Sequence, residues 1–254
     1  MSQMKPYPIL FLLLFAAMLG YASPQTDNIL VGNKAYTTGA YSKAIEMYKK
    51  VVDAGFESPE LFYNIGNSYY KMSDYASAIL WYERARRIDP GNEDIEFNLN
   101  VANTKISDKI EPLPEMFYKR WFNAVLQMFS VDMWASVCVV LFIAGILCGV
   151  LYISSRVLVL RKIGFWLGIG LLFLAGFSLL FAWSSYSFTK ATSEAIVFAP
   201  TITVKSSPDD KSTDLFVVHE GTKVRLLDNI SGWYEIRIAN GSVGWLPVTS
   251  LEKI

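Results

Sequence analysis

The sequence predicts a multidomain membrane protein with an α-helical repeat solenoid, a two-helix transmembrane hairpin and a C-terminal all-β barrel. Three observations carry this prediction. The phrase "VGNKAYTTGAYSKAIEMY", Val31–Tyr48, recurs in altered form 34 residues later as "IGNSYYKMSDYASAILWY", Ile65–Tyr82. Two long apolar runs without a charged residue follow. After them, about sixty residues alternate apolar and polar side chains between turn signals, which is typical of short β-strands.

Residues 1–22 have the composition of a secretory signal peptide. The apolar run Ile9–Gly20 follows Lys5, and Gly20 and Ala22 have the small side chains and the spacing of a signal peptidase site. We therefore predict cleavage after Ala22, with a short uncleaved anchor as the alternative. In either case the residues that follow are delivered out of the cytoplasm.

The two long apolar runs predict transmembrane helices at 133–155 and 163–186, because a span needs about 20 apolar residues. The connecting loop, 156–162, carries Arg156, Arg161 and Lys162, and positive loops favour the cytoplasm. This orientation places the domains before and after the hairpin on the outer side, which agrees with the signal peptide.

Glycines in both spans predict a close helix crossing. Gly145 and Gly149 form a small-xxx-small step in the first span, and Gly164 and Gly168 form one in the second. The hypothesis is that the two spans pack tightly there. Since glycine is frequent in such helices, a chance spacing is the alternative.

Residues 108–132 predict a linker, "DKIEPLPE", followed by an interfacial amphipathic helix. Phe117, Trp121, Val125 and Met128 recur at helical spacing next to basic residues. Such a helix lies in the plane of a lipid bilayer, so we expect it to hold the preceding domain near the membrane surface.

The shift of 34 residues equals the length of a helix-turn-helix repeat. Gly32 and Gly66 recur as small residues where two helices cross, and Tyr48 and Tyr82 fill the space beside them. This pattern resembles the tetratricopeptide repeat. The resemblance implies that residues 27–107 form two repeats and a capping helix, since a single helix pair cannot bury its apolar face alone.

Stacked repeats form a concave groove lined by the first helix of each pair. The polar and aromatic residues that we predict to bind a partner there are Asn33, Tyr36, Asn64, Asn67, Tyr70 and Lys71. In some tetratricopeptide proteins, asparagines and basic residues clamp a peptide carboxylate. Here Ile29 and Asp94 occupy two of the basic positions, which favours a different extended segment. The alternative is that the asparagines satisfy helix ends and turns.

The sequence of residues 192–254 predicts the C-terminal β-barrel. The segments "VKSSP", "EGTKV", "GWYEI" and "NGSVGWL" resemble a bacterial SH3 domain, and Asn240-Gly241 is a strong hairpin signal. The resemblance implies binding of peptides or cell-wall material, with Trp233, Tyr234 and Trp245 as the contact residues. The alternative is that one or more of these aromatic side chains belong to the core.

Composition argues against catalysis. His219 is the only histidine, and Cys138 and Cys148 both lie in the first apolar run, so a His or Cys metal cluster is excluded. There is no glycine-rich phosphate loop. The formal net charge is zero, without the basic excess of a nucleic-acid-binding protein. We expect no enzyme activity, no metal and no cofactor.

The full order of segments resembles the BatE-like repeat proteins of the Bat aerotolerance operons of Bacteroidetes. The resemblance implies a scaffold in the periplasm, anchored in the bacterial inner membrane by two spans. It also implies partners: membrane proteins with von Willebrand factor A domains and, indirectly, a MoxR-type ATPase, in envelope stress or aerotolerance. The alternative function is a tether or sensor that binds peptidoglycan through the barrel.

Overall fold

The computed structural model describes residues 24–114, 116–191 and 193–254. The predicted signal peptide lies outside the described residues. The chain divides into two compact units, Met1–Glu57 and Ser58–Ile254. The helices are α1 (Pro24–Thr37), α2 (Tyr41–Asp53), α3 (Pro59–Lys71), α4 (Tyr75–Ile88), α5 (Glu93–Asn103), α6 (Phe117–Leu126), α7 (Val131–Ser154) and α8 (Leu158–Ala191). The strands are β1 (Glu194–Val197), β2 (Thr201–Lys205), β3 (Asp214–His219), β4 (Lys223–Ile230), β5 (Trp233–Arg237), β6 (Val243–Pro247) and β7 (Leu251–Lys253).

The first repeat consists of α1 and α2. The turn between them contains Gly39 at φ 77°, a left-handed conformation that glycine adopts without steric cost. Helix α2 has one apolar face, and its buried residues are Ala44, Ile45, Tyr48 and Val51. The spacing of these residues is that of an amphipathic helix.

The second repeat consists of α3 and α4 and uses stronger helix caps. The Ser58 side chain accepts a hydrogen bond from the backbone N–H of Leu61 ahead of α3, and Pro59 fills the first turn. Asp74 caps α4 by accepting from the backbone N–H of Ser77. The turn residue Ser73 has φ 63°, so a non-glycine residue adopts the same left-handed conformation as Gly39.

Helix α5 forms the predicted cap after the second repeat. Asn92 accepts hydrogen bonds from the N–H groups of Asp94 and Ile95 and so starts the helix. Its buried face consists of Ile95, Leu99 and Ala102, as the apolar spacing predicts. The outer face is charged and open to solvent.

Helices α7 and α8 are each long and apolar enough to cross a membrane. The loop between them is shorter than predicted, because α8 already begins at Leu158. Arg161 and Lys162 therefore belong to the helix, where the Arg161 guanidinium lies 5.3 Å from the centre of the Tyr152 ring. Leu158, Leu160 and the two basic residues are good helix formers, which favours a helical start over a loop.

Aromatic side chains gather where α6 meets the apolar hairpin. The ring of Trp134 stacks on Phe181 with centroids 5.0 Å apart, and Phe122 of α6 lies 5.8 Å from the same ring. The Trp134 indole N–H donates to the carbonyl oxygen of Leu126 at 3.3 Å. Helix α6 is thus held against the start of α7 and the last third of α8.

The β-domain, residues 193–254, is a seven-stranded antiparallel sheet with the strand order β3-β2-β6-β5-β4-β1-β7. Ser231 and Gly232, at φ 50° and 84°, join β4 to β5, as a two-residue hairpin turn requires. The predicted hairpin at Asn240-Gly241 joins β5 to β6. The core is formed by Ala195, Val197, Val204, Val218, Val224, Tyr234, Ile236, Ile238 and Leu246. Helical repeats, two apolar helices and an all-β domain confirm the predicted fold class.

Candidate functional site

The predicted groove residue Asn33 supports the interior of its own repeat. The Tyr48 hydroxyl donates to Asn33 Oδ1 at 2.7 Å. The same tyrosine ring passes so close to Gly32 that a Cβ added there would lie 2.6 Å from Tyr48 Cε1. Burial raises the pKa of Tyr48 to about 12, with a smaller contribution from Tyr36. Gly32, Asn33 and Tyr48 therefore act together to fix how α1 crosses α2.

The second repeat contains the same arrangement and extends it to the capping helix. The Tyr82 hydroxyl donates to Asn67 Oδ1 at 2.7 Å, and a Cβ added at Gly66 would lie 2.6 Å from Tyr82 Cδ1. Asn98 of α5 donates to Asn67 Oδ1 at 3.4 Å and to the Tyr63 hydroxyl at 2.5 Å. These asparagines therefore bond side chains inside the stack, and not the helix ends and turns that the alternative named.

The remaining predicted groove residues occupy equivalent surface positions. Tyr36 makes an edge contact with Tyr41, and Tyr70 makes the same contact with Tyr75, with centroids 5.4 and 5.5 Å apart. Lys71 is exposed at the end of α3 and Asn64 is half-buried. The part of this surface that remains accessible on the second repeat is thus formed by Asn64, Tyr70 and Lys71.

A buried carboxylate connects the second repeat to the β-domain. The Glu83 side chain is 7% exposed and accepts from Arg86 at 2.6 Å and from Lys223 at 3.0 Å. Lys223 also contacts Glu194 at 2.6 Å. Burial alone would lower the pKa of Arg86, but Glu83, Glu96 and Glu194 raise it above its ordinary value. A buried carboxylate requires such partners, so this network fixes the register of the two parts.

Two further arginines of α4 hold the last strand. Arg84 donates to the carbonyl oxygen of Lys253 at 2.7 Å and contacts Glu252 at 3.1 Å. Arg87 donates to the carbonyl oxygen of Ile254 at 2.7 Å. Beneath these contacts, Ile196 of β1 belongs to the same apolar core cluster as the second repeat. The contact therefore has an apolar centre and a charged periphery.

The connecting segment, residues 104–114, runs from α5 onto the β-domain. Asp108 accepts from the backbone N–H of His219 at 2.8 Å, from the Thr222 hydroxyl at 2.7 Å, and lies 2.6 Å from His219 Nδ1. Burial alone would raise the pKa of Asp108, but these hydrogen bonds hold it below its ordinary value. Thr222 bonds to the carboxylate and not to the imidazole, so the group is a clamp and not a Ser-His-Asp-type triad.

Apolar residues of the connecting segment add to this clamp. Ile110 packs against the core of the β-domain. Ile106 lies directly over Gly221, which has φ 84° and whose position leaves no room for a Cβ. The N–H of Leu113 donates to the carbonyl oxygen of Ala239 at 3.1 Å. Charge, hydrogen bonds and apolar contacts together fix the segment along the β-domain.

The three aromatic residues predicted for ligand binding by the β-domain do not share one face. Tyr234 is 9% exposed and belongs to the core, and Lys253 lies over its ring at 5.1 Å. In the pairing of β5 with β6, Trp233 lies opposite Pro247, and Trp245 lies opposite Glu235. Because side chains alternate along a strand, Trp233 and Trp245 project from the face opposite Tyr234. Both are half-buried, so the accessible pair is Trp233 and Trp245.

The predicted packing glycines lie between α7 and α8, with one exception. A Cβ added at Gly145 would lie 2.9 Å from Leu172, and one at Gly164 would lie 2.8 Å from the carbonyl oxygen of Cys148. At Gly168 an added Cβ would be 3.3 Å from Cys148 Cβ. At Gly149 it would meet no atom within 4 Å. Close approach of the helices therefore involves Gly145, Gly164 and Gly168 directly.

Sequence reasoning missed the residues that join the second repeat to the β-domain. They are Glu83, Arg84 and Arg87 of α4 and Lys223 of β4. Asp108, which holds the connecting segment on the β-domain, was missed as well. One signal was present: the second copy carries "ERARR" where the first carries "KKVVD". In the part of the chain that the structure describes, no three His, Cys, Asp or Glu side chains gather as a metal site.

Comparison with known families finds a match in two segments of the chain. The tetratricopeptide repeat family matches residues 59–92, which cover the second repeat. The bacterial SH3 domain family matches residues 200–252. No curated protein matches the chain. Domains of these two kinds are interaction modules, which indicates protein–protein interaction or cell-wall binding, with the two apolar helices suggesting membrane anchoring.

Proposed function

We propose that the chain is a non-enzymatic, membrane-anchored scaffold that assembles a protein complex at a bacterial inner membrane. One observation supports this furthest: the second repeat contacts the β-domain directly, although both apolar helices separate them in sequence. Glu83 and Lys223, which meet at 3.0 Å, are 140 residues apart. Helix α7 begins after the second repeat and α8 ends at the β-domain. Because these two modules contact each other, both lie on the same side of the membrane.

The contact between the second repeat and the β-domain also determines how such a scaffold would bind its partners. Two modules on flexible tethers gain affinity only through a high effective concentration. Modules that are fixed to each other by a buried carboxylate and an apolar core present one rigid surface, which reduces the ordering that a partner must impose on binding. We infer that partners recognise the second repeat and the β-domain together.

The periplasm is the proposed side. The predicted signal peptide supports this placement, as do Arg156, Arg161 and Lys162 at the short connection of the hairpin. A test uses a chain in which Cys138 and Cys148 are replaced by serine and one cysteine is introduced at Lys71 or at Arg156. A membrane-impermeant maleimide added to spheroplasts should label Lys71→Cys and spare Arg156→Cys. The reverse pattern would contradict the placement.

The proposed partners are membrane proteins with von Willebrand factor A domains and, indirectly, a MoxR-type ATPase, in envelope stress or aerotolerance. The resemblance of the whole chain to BatE-like proteins supports this set. A photoreactive amino acid at Lys71 on the accessible face of the second repeat should crosslink such a membrane protein in intact cells. The control position is Lys50, which lies on α2 and is paired with Glu46. Equal crosslinking from both positions would contradict a specific surface at Lys71.

A second candidate function, peptidoglycan binding, is favoured by the Trp233 and Trp245 pair. Two half-buried indoles on one face of neighbouring strands offer flat apolar surfaces of the kind that stack on sugars. The full chain in detergent should bind purified sacculi and lose that binding when Trp245 is replaced by alanine. Undiminished binding by Trp245→Ala would reject these indoles as the site.

A further inference from the structure

A cavity of about 370 Å³ lies where the second repeat, the β-domain and the apolar hairpin meet. Its lining combines arginines and glutamates with apolar side chains. The lining residues on which the proposal depends are Arg86, Arg87, Glu96, Leu126, Val131 and Ser185. Neither of the two modules closes this cavity alone, because α6, α7 and α8 supply one of its walls.

Neighbouring aromatic residues give the level of the cavity relative to a bilayer. Val131 is the first residue of α7, and Trp134 lies one turn further along that helix. Trp183, which is 72% exposed, precedes Ser185 on α8. Tryptophan side chains collect at the boundary between lipid tails and water. The cavity wall formed by Val131 and Ser185 therefore lies on the outer side of this boundary, at the depth of lipid headgroups.

The charges around the cavity balance. Three carboxylates, Glu83, Glu96 and Glu194, face it together with Arg86 and Arg87, and Lys223 contacts two of the carboxylates from behind. Three positive and three negative side chains give the surroundings of the cavity no net side-chain charge, so they favour neither a simple anion nor a simple cation. A ligand that carries both charges is matched by such a site, with its negative group near the arginines.

We propose that this cavity binds the headgroup of a zwitterionic aminophospholipid. The phosphate would lie near Arg86 and Arg87, the ammonium would donate to Glu96, and the glycerol backbone would contact Leu126 and Val131. The cavity lies at the small end of the 300–1,000 Å³ range of ligand sites, about the size for a headgroup and not for a whole lipid. This inference rests on the membrane placement in the proposed function.

Glu96 is the position at which the proposal is tested most cleanly. Its side chain is 49% exposed, and its contact with Arg86 is long, at 3.5 Å. Replacing it with glutamine should leave the fold intact. Glu93→Gln is the matched control, since Glu93 lies one turn earlier on α5 and outside the cavity lining. Gln127→Trp fills the cavity without changing charge and serves as an independent variant.

The experiment measures which lipids remain with the full-length protein after extraction from liposomes of phosphatidylethanolamine, phosphatidylcholine and phosphatidylglycerol in equal amounts. We expect enrichment of phosphatidylethanolamine over the other two. Glu96→Gln should reduce that enrichment by up to about tenfold, as the loss of one charge-assisted hydrogen bond predicts. Gln127→Trp should abolish it, and Glu93→Gln should leave it unchanged.

Three outcomes would overturn the proposal: no enrichment, enrichment that both variants leave unchanged, or enrichment of phosphatidylglycerol, which would assign an anionic ligand. Alkaline extraction of the same liposomes separates this test from that of the proposed function. A protein that resists extraction yet shows no lipid preference rejects the headgroup site alone, whereas a protein released by alkali rejects membrane anchoring itself.

Discussion

The first and second repeats are nearly identical inside and different outside. In both, a glycine on the first helix meets a tyrosine ring, and the tyrosine hydroxyl donates to an asparagine at 2.7 Å. On the second helix, the first repeat carries Lys49, Lys50, Val52 and Asp53. The equivalent residues of the second repeat are Glu83, Arg84, Arg86 and Arg87. Glu83, Arg84 and Arg87 contact the β-domain, and Arg86 pairs with Glu83. The residues shared by both repeats thus specify the packing of a helix pair. The residues that differ between the repeats specify the contact of the second repeat with the β-domain.

The glycine positions should give the largest effect. Gly66→Leu and Gly32→Leu each place side-chain atoms where a tyrosine ring lies, and we expect a loss of about 3 kcal/mol in unfolding free energy for each. Only Gly66→Leu should also loosen the β-domain, because Tyr82 and Ile196 share one core cluster. Hydrogen exchange of strand β1 measures the difference. Protection of β1 that survives Gly66→Leu would show that the second repeat does not support the β-domain.

Replacement of the buried carboxylate of Glu83 should give the second-largest loss of stability. Glu83→Gln leaves Arg86 and Lys223 without their shared partner, and both are about a third exposed. We therefore expect a loss of about 2 kcal/mol, below the range for fully buried pairs. Lys49→Gln, at the equivalent position of the first repeat, should change stability by less than about 0.5 kcal/mol. Thermal unfolding of the purified full chain compares the two, and equal losses would remove the distinction between the repeats.

Asp108 should give a smaller, pH-dependent effect. Its pKa is lowered in the folded protein, so its contribution is present above the unfolded value of about 3.9 and is lost as the pH falls through the folded value. Asp108→Asn should cost about 1–2 kcal/mol at pH 7 and little in acid below the folded value. Melting temperatures of both proteins across this range measure the effect. A gap that stays constant with pH would exclude the carboxylate charge as its cause.

The tyrosine hydroxyls should give the smallest effect and the same one in both repeats. Tyr48→Phe and Tyr82→Phe each remove one hydrogen bond to asparagine, worth about 1 kcal/mol. Thermal unfolding of the two variants should therefore shift by similar amounts. A much larger shift for Tyr82→Phe would mean that the link from Asn67 to Asn98 depends on that hydroxyl.

The pKa of Tyr48 offers a second measurement on the first repeat. Its folded value of about 12 exceeds the ordinary value of 10.0. The folded state therefore holds the proton more tightly, and the stability from this residue is present below pH 10 and falls as the pH rises towards the folded value. Ultraviolet titration of the wild-type chain against Tyr48→Phe should show one tyrosine fewer titrating late. Titration of that tyrosine near pH 10 would contradict its burial.

Local periodicity was sufficient to predict the helical repeats, the two apolar helices and the all-β character of the C-terminal region. The repeat pattern also predicted that Gly66 packs against Tyr82, because this glycine and this tyrosine recur together in both copies. It could not place Glu83, since the partner Lys223 is 140 residues away and nothing in either local pattern records that distance. The sequence left open which of the three aromatic residues belongs to the core, because a motif does not reveal whether Trp233 or Tyr234 points inward. The start of α8 at Leu158 was missed for a similar reason, because basic residues at a helix end resemble those of a loop.

The chain order of Glu83 and Lys223 also has a consequence for biosynthesis. Translation at about 5–20 residues per second separates the emergence of these two residues by about 7–28 seconds. During that interval the second repeat is complete but has no β-domain, so its carboxylate and the apolar surface that later covers Ile196 stay uncovered. Both apolar helices, α7 and α8, emerge before the β-domain arrives. Nascent chains therefore pass through a stage at which a chaperone could bind the uncovered surface of the second repeat.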